Sequence, residues 1–342
     1  MPTLKGLAKR LSDLRGQFYV DLSSQHRDSV LICTIQRSGS TWFGEVINYG
    51  NEYRSMYEPF HNRRVPEVKA FKIWQYLRPD DDSPEYLKPA TAIFEGRIRN
   101  ASISALNRRV FVRRRLIKEV RSLMMIGWIR AHFPEMPVIL LLRHPCAVLN
   151  SLLKLHWHRS AAENIFSQPQ LMADHLEPFR ADIEAATGDV DNHLLAWCAN
   201  YYVALRQLAG QRVFVAFYER FLADPRNEIA RLFAFLDRPF DERVFQRMKV
   251  PSVQARVARH GDSSAIVTGG DLLDEWRKHI TPAQIERAMA LLKRFGLDAI
   301  YGPESMPRVT DLTHYGIPRL TPDGQTPGGS SGSRVSGMAS SP

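Results

Sequence analysis

The chain has 342 residues, of which 44% are hydrophobic and 24% are charged, and its formal net charge is +10 at pH 7. This composition excludes a wholly disordered chain, and no apolar run reaches the ~20 residues that a membrane-spanning helix needs. The positive charge predicts an anionic partner, which composition alone leaves open among nucleic acid, an anionic membrane and a small ligand rich in phosphate and sulfate.

The first twenty residues mix cations with leucines at helical spacing and lack the apolar region of a signal peptide. We expect a solvated amphipathic helix that packs by one face, and a peripheral membrane contact stays open. We assign residues 1–28 to an N-terminal amphipathic extension, 29–302 to the main domain and 303–342 to a C-terminal extension. From about residue 321 onward, Gly, Ser, Thr and Pro prevail, which predicts a disordered tail.

Three short apolar runs are predicted to be buried strands: Ser29–Ile35, Val138–Leu142 and Val213–Phe217. Amphipathic helices are predicted between and after them, over Trp42–Tyr49, Leu116–His132, about Cys146–Leu155, Asp224–Leu236 and Thr281–Phe295. Continuous apolar strands that alternate with helices are typical of a parallel sheet covered on both faces. The sequence therefore predicts an α/β fold with a central parallel β-sheet flanked by helices.

The loop after the first strand has the features of an anion site. Ser38, Gly39 and Ser40 are small enough to let the backbone approach an anion, and the next helix brings its unpaired N–H groups to the same point. Arg37 adds a permanent charge. No lysine follows the glycine, so the loop is not that of a nucleotide triphosphatase. A tight strand-to-helix connection is the alternative interpretation.

Two segments resemble the sulfotransferases that use 3′-phosphoadenosine 5′-phosphosulfate (PAPS). Gln36–Trp42 resembles their 5′-phosphosulfate loop, with an arginine at position 37 as in the carbohydrate-directed branch. Leu142–Ser151 is similar to their 3′-phosphate segment, in which an arginine precedes a serine by eight positions. Tyr218–Phe221 and Trp276–Lys278 extend the likeness. The resemblance implies a P-loop-like sulfotransferase architecture and an enzyme that transfers a sulfuryl group to an acceptor hydroxyl.

The resemblance also implies roles for single residues. The backbone amides of Ser38, Gly39, Ser40 and Thr41 and the hydroxyls of Ser40 and Thr41 would bind the 5′-phosphate, and Arg37 would bridge phosphate and sulfate. The 3′-phosphate would be held by Arg143 and Ser151, and the adenine would be contacted by Trp42 and Tyr218. For Trp42, a core aromatic is the alternative. Transfer should be an in-line displacement that requires no metal, so PAPS is the expected co-substrate and no metal site is predicted.

A base for the acceptor hydroxyl is sought in Tyr57–His61. Glu58 is the first candidate, because Pro59 holds its backbone extended and the Tyr-Glu-Pro string resembles carbohydrate sulfotransferases. A desolvated carboxylate beside the acceptor is expected to have a raised pKa. His61 is the competing candidate, and a surface charge is the alternative for either residue.

The acceptor is expected to be a carbohydrate or a glycolipid, with a non-carbohydrate small molecule or lipid hydroxyl as the alternative. Between residues 97 and 121 lie nine cations, which fit either a solvated helix face or a docking surface for an anionic acceptor. A non-enzymatic polyanion-binding protein is a competing hypothesis, but the run lacks interleaved aromatics, so no nucleic-acid partner is predicted. Three widely spaced cysteines predict reduced, buried thiols in a cytoplasmic protein.

Overall fold

The computed structural model describes residues 18–157, 165, 167–253 and 272–320. The predicted helix at the extreme N-terminus and the predicted disordered tail lie almost wholly outside these residues. The strands within them are β1 (Val20–Asp21), β2 (Ser29–Cys33), β3 (Tyr53–Tyr57), β4 (Phe111–Val112), β5 (Arg114–Glu119), β6 (Val138–Leu142) and β7 (Phe214–Phe217).

The helices surround these strands, and none of those described is both long and apolar enough to cross a bilayer. They are α1 (Ser40–Ile47), α2 (Pro84–Phe94), α3 (Ala101–Ser104), α4 (Ile126–His132), α5 (Pro145–Leu153), α6 (Pro169–Leu171), α7 (Arg180–Glu184), α8 (Gly188–Leu208), α9 (Tyr218–Ala223), α10 (Pro225–Phe235), α11 (Arg243–Met248) and α12 (Pro282–Arg294).

Five strands form one parallel sheet in the order β3-β5-β2-β6-β7. After β2, the chain therefore first adds β3 and β5 on one side of β2 and then adds β6 and β7 on the other side. In open α/β sheets, ligands bind at the carboxyl ends of the strands where the order reverses in this way. The topology places that point at the end of β2, between β5 and β6.

The core lies on both faces of this sheet. Leu31 and Cys33 of β2 point into a cluster with α4, α5, α8 and α12, whereas Val30 and Ile32 point into one with α1 and α10. Such burial on both faces explains why β2 and β6 are apolar throughout. The predicted fold class is confirmed, as are the three predicted strands and the capping box that starts α12 at Thr281. The proposed division at residues 28 and 302 stays a prediction.

The helix predicted over Leu116–His132 is wrong in its first half. That half is β5, the sheet neighbour of both β2 and β3, and α4 begins only at Ile126. The error arose because Lys118 and Glu119 are charged, which is unusual in a central strand, and both are nevertheless buried. The nine cations therefore do not share one solvated helix face.

A buried ionic cluster fixes the amino ends of β3 and β5. The side chains of Arg54 and Arg115 are fully buried and share the carboxylate of Asp21, at 3.2 Å and 2.9 Å. Arg54 also donates to two backbone carbonyls, and Arg115 donates to two carbonyls and to the Ser29 hydroxyl. These bonds compensate the desolvation of two cations in the interior and tie the segment around β1 to the sheet.

Candidate active site

The loop between β2 and α1 has a strained backbone that glycine makes accessible. Gly39, the residue before α1, has φ of 79°, and Arg37 has φ of 67°. A Cβ atom on Gly39 would lie 2.4 Å from Cε2 of Tyr218, so no other residue fits against that ring. No side chain among the described residues caps α1. The first turn of α1 therefore presents its backbone N–H groups and the positive end of the helix dipole to this loop.

Arg37 and Arg143 meet at the carboxyl ends of β2 and β6. Nη1 of Arg143 donates to the carbonyl oxygen of Arg37 at 3.0 Å, and Nε of Arg37 donates to Oγ of Ser151 at 2.8 Å. Neither guanidinium forms an ion pair with a carboxylate among the residues described. Desolvation and the charge of Arg143 lower the pKa of Arg37. The fold thus concentrates positive charge without neutralising it.

Two buried polar atoms in this region lack a hydrogen-bond partner within the described chain: Oγ of Ser38 and Nε of Arg143. Ser40 is buried and Thr41 is half-buried in the first turn of α1. Buried polar groups are almost always satisfied in a folded protein. Orphaned donors beside an uncapped helix and two free cations are the features of a site that an anionic ligand completes.

Arg143 is held in place through its neighbours. Its carbonyl oxygen accepts a bond from Nε1 of Trp197, and its guanidinium lies over the ring of Tyr218, 4.5 Å from the centroid. The next residue, His144, donates its backbone N–H to Glu219, which also accepts from Tyr301. The ring of His144 stacks on Trp276. The segments Tyr218–Phe221 and Trp276–Lys278, which also carry the family resemblance, therefore pack against Arg143 and His144.

A sequence model described as the sulfotransferase family matches residues 29–242, which is more than half of the chain. The chain belongs to the sulfotransferase family. This match covers the loop after β2 and the segment after β6, which are the two places where the structure gathers unpaired cations.

Solved sulfotransferase structures resemble this sulfotransferase at a distance. The sulfotransferase domain of the Synechococcus PCC 7002 olefin synthase is 16% identical, with a TM-score of 0.42, over 78% of this chain and 94% of that one. Sulfotransferase STF9 from Mycobacterium avium is 11% identical over 88% and 82%, also with a TM-score of 0.42. Mouse SULT7A1, solved with PAP, is 14% identical over 83% and 87%, with a TM-score of 0.38.

Trp42 and Tyr218 lie together behind the loop of the sulfotransferase. Their rings meet edge to face at 5.5 Å, and only 3% of Trp42 is exposed. Nε1 of Trp42 donates to the carbonyl oxygen of Met248. Packing of this kind favours the core-aromatic alternative for Trp42, while Tyr218 lies against both Gly39 and Arg143, one from each of the two motif segments.

Glu58 lies at the end of β3, where two cations clamp its carboxylate. Nζ of Lys118 is 2.6 Å from Oε1, and Nη1 of Arg121 is 2.7 Å from Oε2. Burial opposes ionisation of the carboxylate, but the charges and hydrogen bonds of Lys118 and Arg121 outweigh it and hold the pKa of Glu58 at about 2. The prediction of a raised pKa is therefore wrong. The carboxylate is desolvated, but Lys118 and Arg121, which are distant in sequence, also contact it.

His61 follows Glu58 by one turn, and its backbone N–H donates to the Glu58 carbonyl oxygen. The ring is half-buried, and its Nδ1 has no hydrogen-bond partner among the described residues. Desolvation and then the charges of Arg121 and Arg64 lower the pKa of His61. A neutral imidazole at neutral pH is chemically able to accept a proton, so the structure keeps both candidates for the base beside each other.

Sequence reasoning missed the residues that hold the Glu58 turn. Lys118 lines a cavity of about 30 Å³ together with Ser40, Thr41 and Tyr57, which connects the loop to the Glu58 side of the site. Glu119 is fully buried, and its carboxylate accepts the N–H groups of Phe60, Val120 and Arg121. The sequence does show charged residues, Lys118 and Glu119, directly after Leu116-Ile117, but their spacing predicts a solvated helix face and not a buried cluster.

Other predicted features lie away from this site or outside the described residues. All three cysteines are buried and free, as predicted. The described residues contain no cluster of three His, Cys, Asp or Glu side chains set to hold a metal ion. The basic segment Arg256–Gly261, for which the sequence supports no firm role, lies outside the described residues.

Proposed function

We propose that this sulfotransferase moves a sulfuryl group from PAPS to the hydroxyl group of an acceptor. The observation that carries the proposal is the pairing of Arg37 with Arg143 without a carboxylate among the described residues. Two like charges held together repel each other, and a bound dianion would turn that repulsion into attraction. Family membership supports the same donor.

The residues fit a donor with a phosphate at each end. The N–H groups at the start of α1 and the orphaned Ser38 hydroxyl would supply donors for the 5′-phosphosulfate. Arg143, whose Nε is also orphaned, and Ser151 supply donors for the 3′-phosphate. Arg37 would lie between the two groups, because its side chain donates to Ser151 and its carbonyl oxygen accepts from Arg143.

PAPS supplies the sulfuryl group, which forms a bond to the acceptor oxygen as its bond to the phosphate oxygen breaks. Arg37 would offset the negative charge that remains on that phosphate oxygen. Glu58, ionised at neutral pH because its pKa is about 2, would accept the proton of the acceptor hydroxyl. Lys118 lines a cavity with Ser40 and Thr41 and also contacts Glu58, so it would bring the base and the loop to one reacting centre.

For the acceptor we propose a carbohydrate or glycolipid hydroxyl. Two resemblances support it: the arginine at position 37 and the string Tyr57-Glu58-Pro59. The cavity beside the loop has room for about one water-sized group, which suits a single hydroxyl that reaches in from a larger molecule. A small-molecule or lipid hydroxyl is the alternative. A cytoplasmic location is a further proposal, supported by the three buried, free thiols.

The test is incubation of the full chain with sulfur-labelled PAPS and a panel of glycans, glycolipids and small hydroxyl compounds, followed by mass spectrometry. We expect a product heavier by one sulfuryl group and stoichiometric adenosine 3′,5′-bisphosphate. Glycan products would support the carbohydrate acceptor, and products only among the small compounds would replace it. Bisphosphate binding without turnover on any acceptor would contradict the enzymatic proposal.

A further inference from the structure

The second, two-stranded sheet has an inner face and an outer face. In this sheet β1 pairs with β4, so that Val20 lies opposite Phe111 and Asp21 lies opposite Val112. Val112 is 1% exposed and Asp21 binds the buried arginines, whereas Val20 is 48% and Phe111 is 64% exposed. Since side chains alternate along a strand, Val20 and Phe111 share the outer face. That face is apolar and open to solvent.

The apolar surface continues beyond the paired residues. The backbone N–H of Leu22 donates to the carbonyl oxygen of Val112. Phe18 precedes Val20 by two positions, Leu22 follows it by two, and both side chains are exposed. Five of the eight large hydrophobic side chains that are exposed in the described part of the chain lie here. They are Phe18, Val20, Leu22, Val110 and Phe111. A cluster of exposed apolar side chains on a solvent-facing surface is typical of an interaction site, whereas single exposed apolar residues are not.

Four arginines flank these side chains: Arg108, Arg109, Arg113 and Arg114. All are exposed, and none forms an ion pair with a carboxylate in the described residues. We name the five apolar residues and these four arginines the β1–β4 surface. It combines exposed Phe and Leu side chains with unpaired arginines, which is the composition of proteins that lie on anionic membranes.

A polar cavity adjoins the surface at Leu22. It has a volume of about 260 Å³ and is lined by Ser23, Ser24, Gln25, Arg27, Asp28 and Arg113. The carboxylate of Asp28 already accepts a bond from the Ser23 hydroxyl, and the two arginines leave the cavity net positive. A cationic, hydroxyl-lined cavity beside an apolar edge suits a lipid phosphate whose acyl chains lie along that edge.

We propose that the β1–β4 surface docks on a bilayer that contains anionic phospholipids. Its apolar side chains enter the boundary between headgroups and acyl chains, and its arginines contact lipid phosphates. A second copy of the chain fits less well, because a symmetric contact would bring two sets of four arginines together. Residues 1–17 join the surface at Phe18 and carry four cations and one acidic residue, so their charge adds to the attraction for an anionic bilayer.

Docking and catalysis are separate in this arrangement. The β1–β4 surface lies at the amino end of β5 and includes its first residue, Arg114, whereas Lys118 and the candidate active site lie at the carboxyl end. The proposal therefore concerns where the enzyme is held and not which acceptor it uses. Changes to the exposed residues of this surface should leave donor binding intact, so the proposal can fail without affecting the proposed function.

The experiment is co-sedimentation of the full chain with vesicles of phosphatidylcholine mixed with phosphatidylglycerol, and with vesicles of phosphatidylcholine alone. We expect binding only to the anionic vesicles. Arg108→Ala with Arg109→Ala should weaken it by roughly 30-fold. Leu22→Ser with Phe111→Ser should weaken it by at least about tenfold. The matched control is Arg206→Ala with Lys293→Ala, which removes the same charge from the exposed parts of α8 and α12 and should change little.

Each alternative has its own result. Failure of the full chain to bind anionic vesicles, or equal binding by both surface variants and the control, would overturn the proposal. A dimer in sedimentation velocity that Phe111→Ser dissolves would assign the surface to a second copy instead. Retention on heparin without vesicle binding would assign it to a polyanion. Unchanged affinity of the variants for adenosine 3′,5′-bisphosphate would show that they are folded and that any loss is one of docking.

Discussion

Two pairs of arginines in this sheet show how the surroundings decide what a side chain does. Arg54 and Arg115, at the amino end of the strands, are fully buried, share Asp21 and donate to backbone carbonyls. Arg37 and Arg143, at the carboxyl end, contact each other and have no carboxylate among the described residues. The first pair has a carboxylate and backbone carbonyls as partners, and only Nε of Arg54 lacks one among the described residues, whereas the second pair has no carboxylate. We propose that the same residue type serves stability at one end and ligand binding at the other.

Loss of Arg37 should show most clearly that the Arg37–Arg143 pair serves catalysis and not stability. Arg37→Ala removes the charge proposed to stabilise the leaving phosphate oxygen, and we expect kcat to fall by about 1000-fold. Within the described residues its guanidinium donates a hydrogen bond to Ser151 and forms no ion pair, so the melting temperature should change little. Steady-state kinetics with PAPS and thermal unfolding measure both effects. A variant with nearly full kcat would mean that Arg37 belongs with the structural pair.

Loss of Arg115 should have the opposite profile. Arg115→Ala leaves two carbonyl oxygens and the Ser29 hydroxyl without their donor, and we expect a loss of about 3 kcal/mol in the free energy of unfolding. The matched control is Arg114→Ala, which removes the exposed neighbour and should cost less than about 0.5 kcal/mol. Denaturant unfolding measures both. Equal stability of the two variants would contradict the role given to the buried cluster.

Glu58 adds a third case, a carboxylate that two cations already satisfy. Glu58→Gln should lower kcat by about 100-fold with little change in affinity for the bisphosphate. Because its pKa is depressed to about 2, wild-type Glu58 stays ionised and should produce no acid limb in the rate between about pH 5 and about pH 8. His61 should titrate below its ordinary pKa, because desolvation and nearby cations disfavour its protonation.

The pH profile therefore distinguishes the two candidate bases. An acid limb below the ordinary pKa range of histidine that disappears in His61→Asn, with near-normal rates in Glu58→Gln, would transfer the role of base to His61. Lys118→Met is the companion variant for Glu58. It removes one of the two clamping cations and should raise the pKa of Glu58, since only Arg121 then remains beside it.

Ser151 should show the smallest effect. Its hydroxyl accepts from Nε of Arg37, and Ser151→Ala removes that bond together with one proposed contact to the 3′-phosphate. We expect about a fivefold loss in affinity for adenosine 3′,5′-bisphosphate, the size of one or two ordinary hydrogen bonds. Ser24→Ala, at an exposed serine before the amino end of β2, is the control. A loss as large as that of an arginine variant would mean that Ser151 mainly positions Arg37.

The sequence was most informative where local pattern and fold agree. β2 and β6 are apolar because they are buried on both faces, and the motif residues Arg37 and Arg143 follow them directly, so their meeting was predictable from parallel strands. β5 was not predictable in the same way, because its buried Arg115, Lys118 and Glu119 are charged. Their burial depends on partners elsewhere in the chain.

Dependence on partners that are distant in sequence also explains why the predicted pKa of Glu58 is wrong. The carboxylate and its clamp come from different strands, and they meet only because β3 pairs with β5 in a register that sets Tyr57 opposite Lys118. A register between strands sixty residues apart leaves no local pattern. Desolvation could be inferred from the neighbouring Pro59 and Phe60, but the compensating charges could not.

We propose that the arginine pair at the ends of β2 and β6, which has no carboxylate partner among the described residues, holds a donor with two phosphates. The most direct measurement is calorimetric titration of the wild-type chain and Arg143→Ala with adenosine 3′,5′-bisphosphate and with adenosine 5′-phosphate. We expect the wild type to prefer the bisphosphate by at least about 30-fold and Arg143→Ala to lose most of this preference. No heat of binding for the bisphosphate, or equal affinity for the two nucleotides, would contradict it.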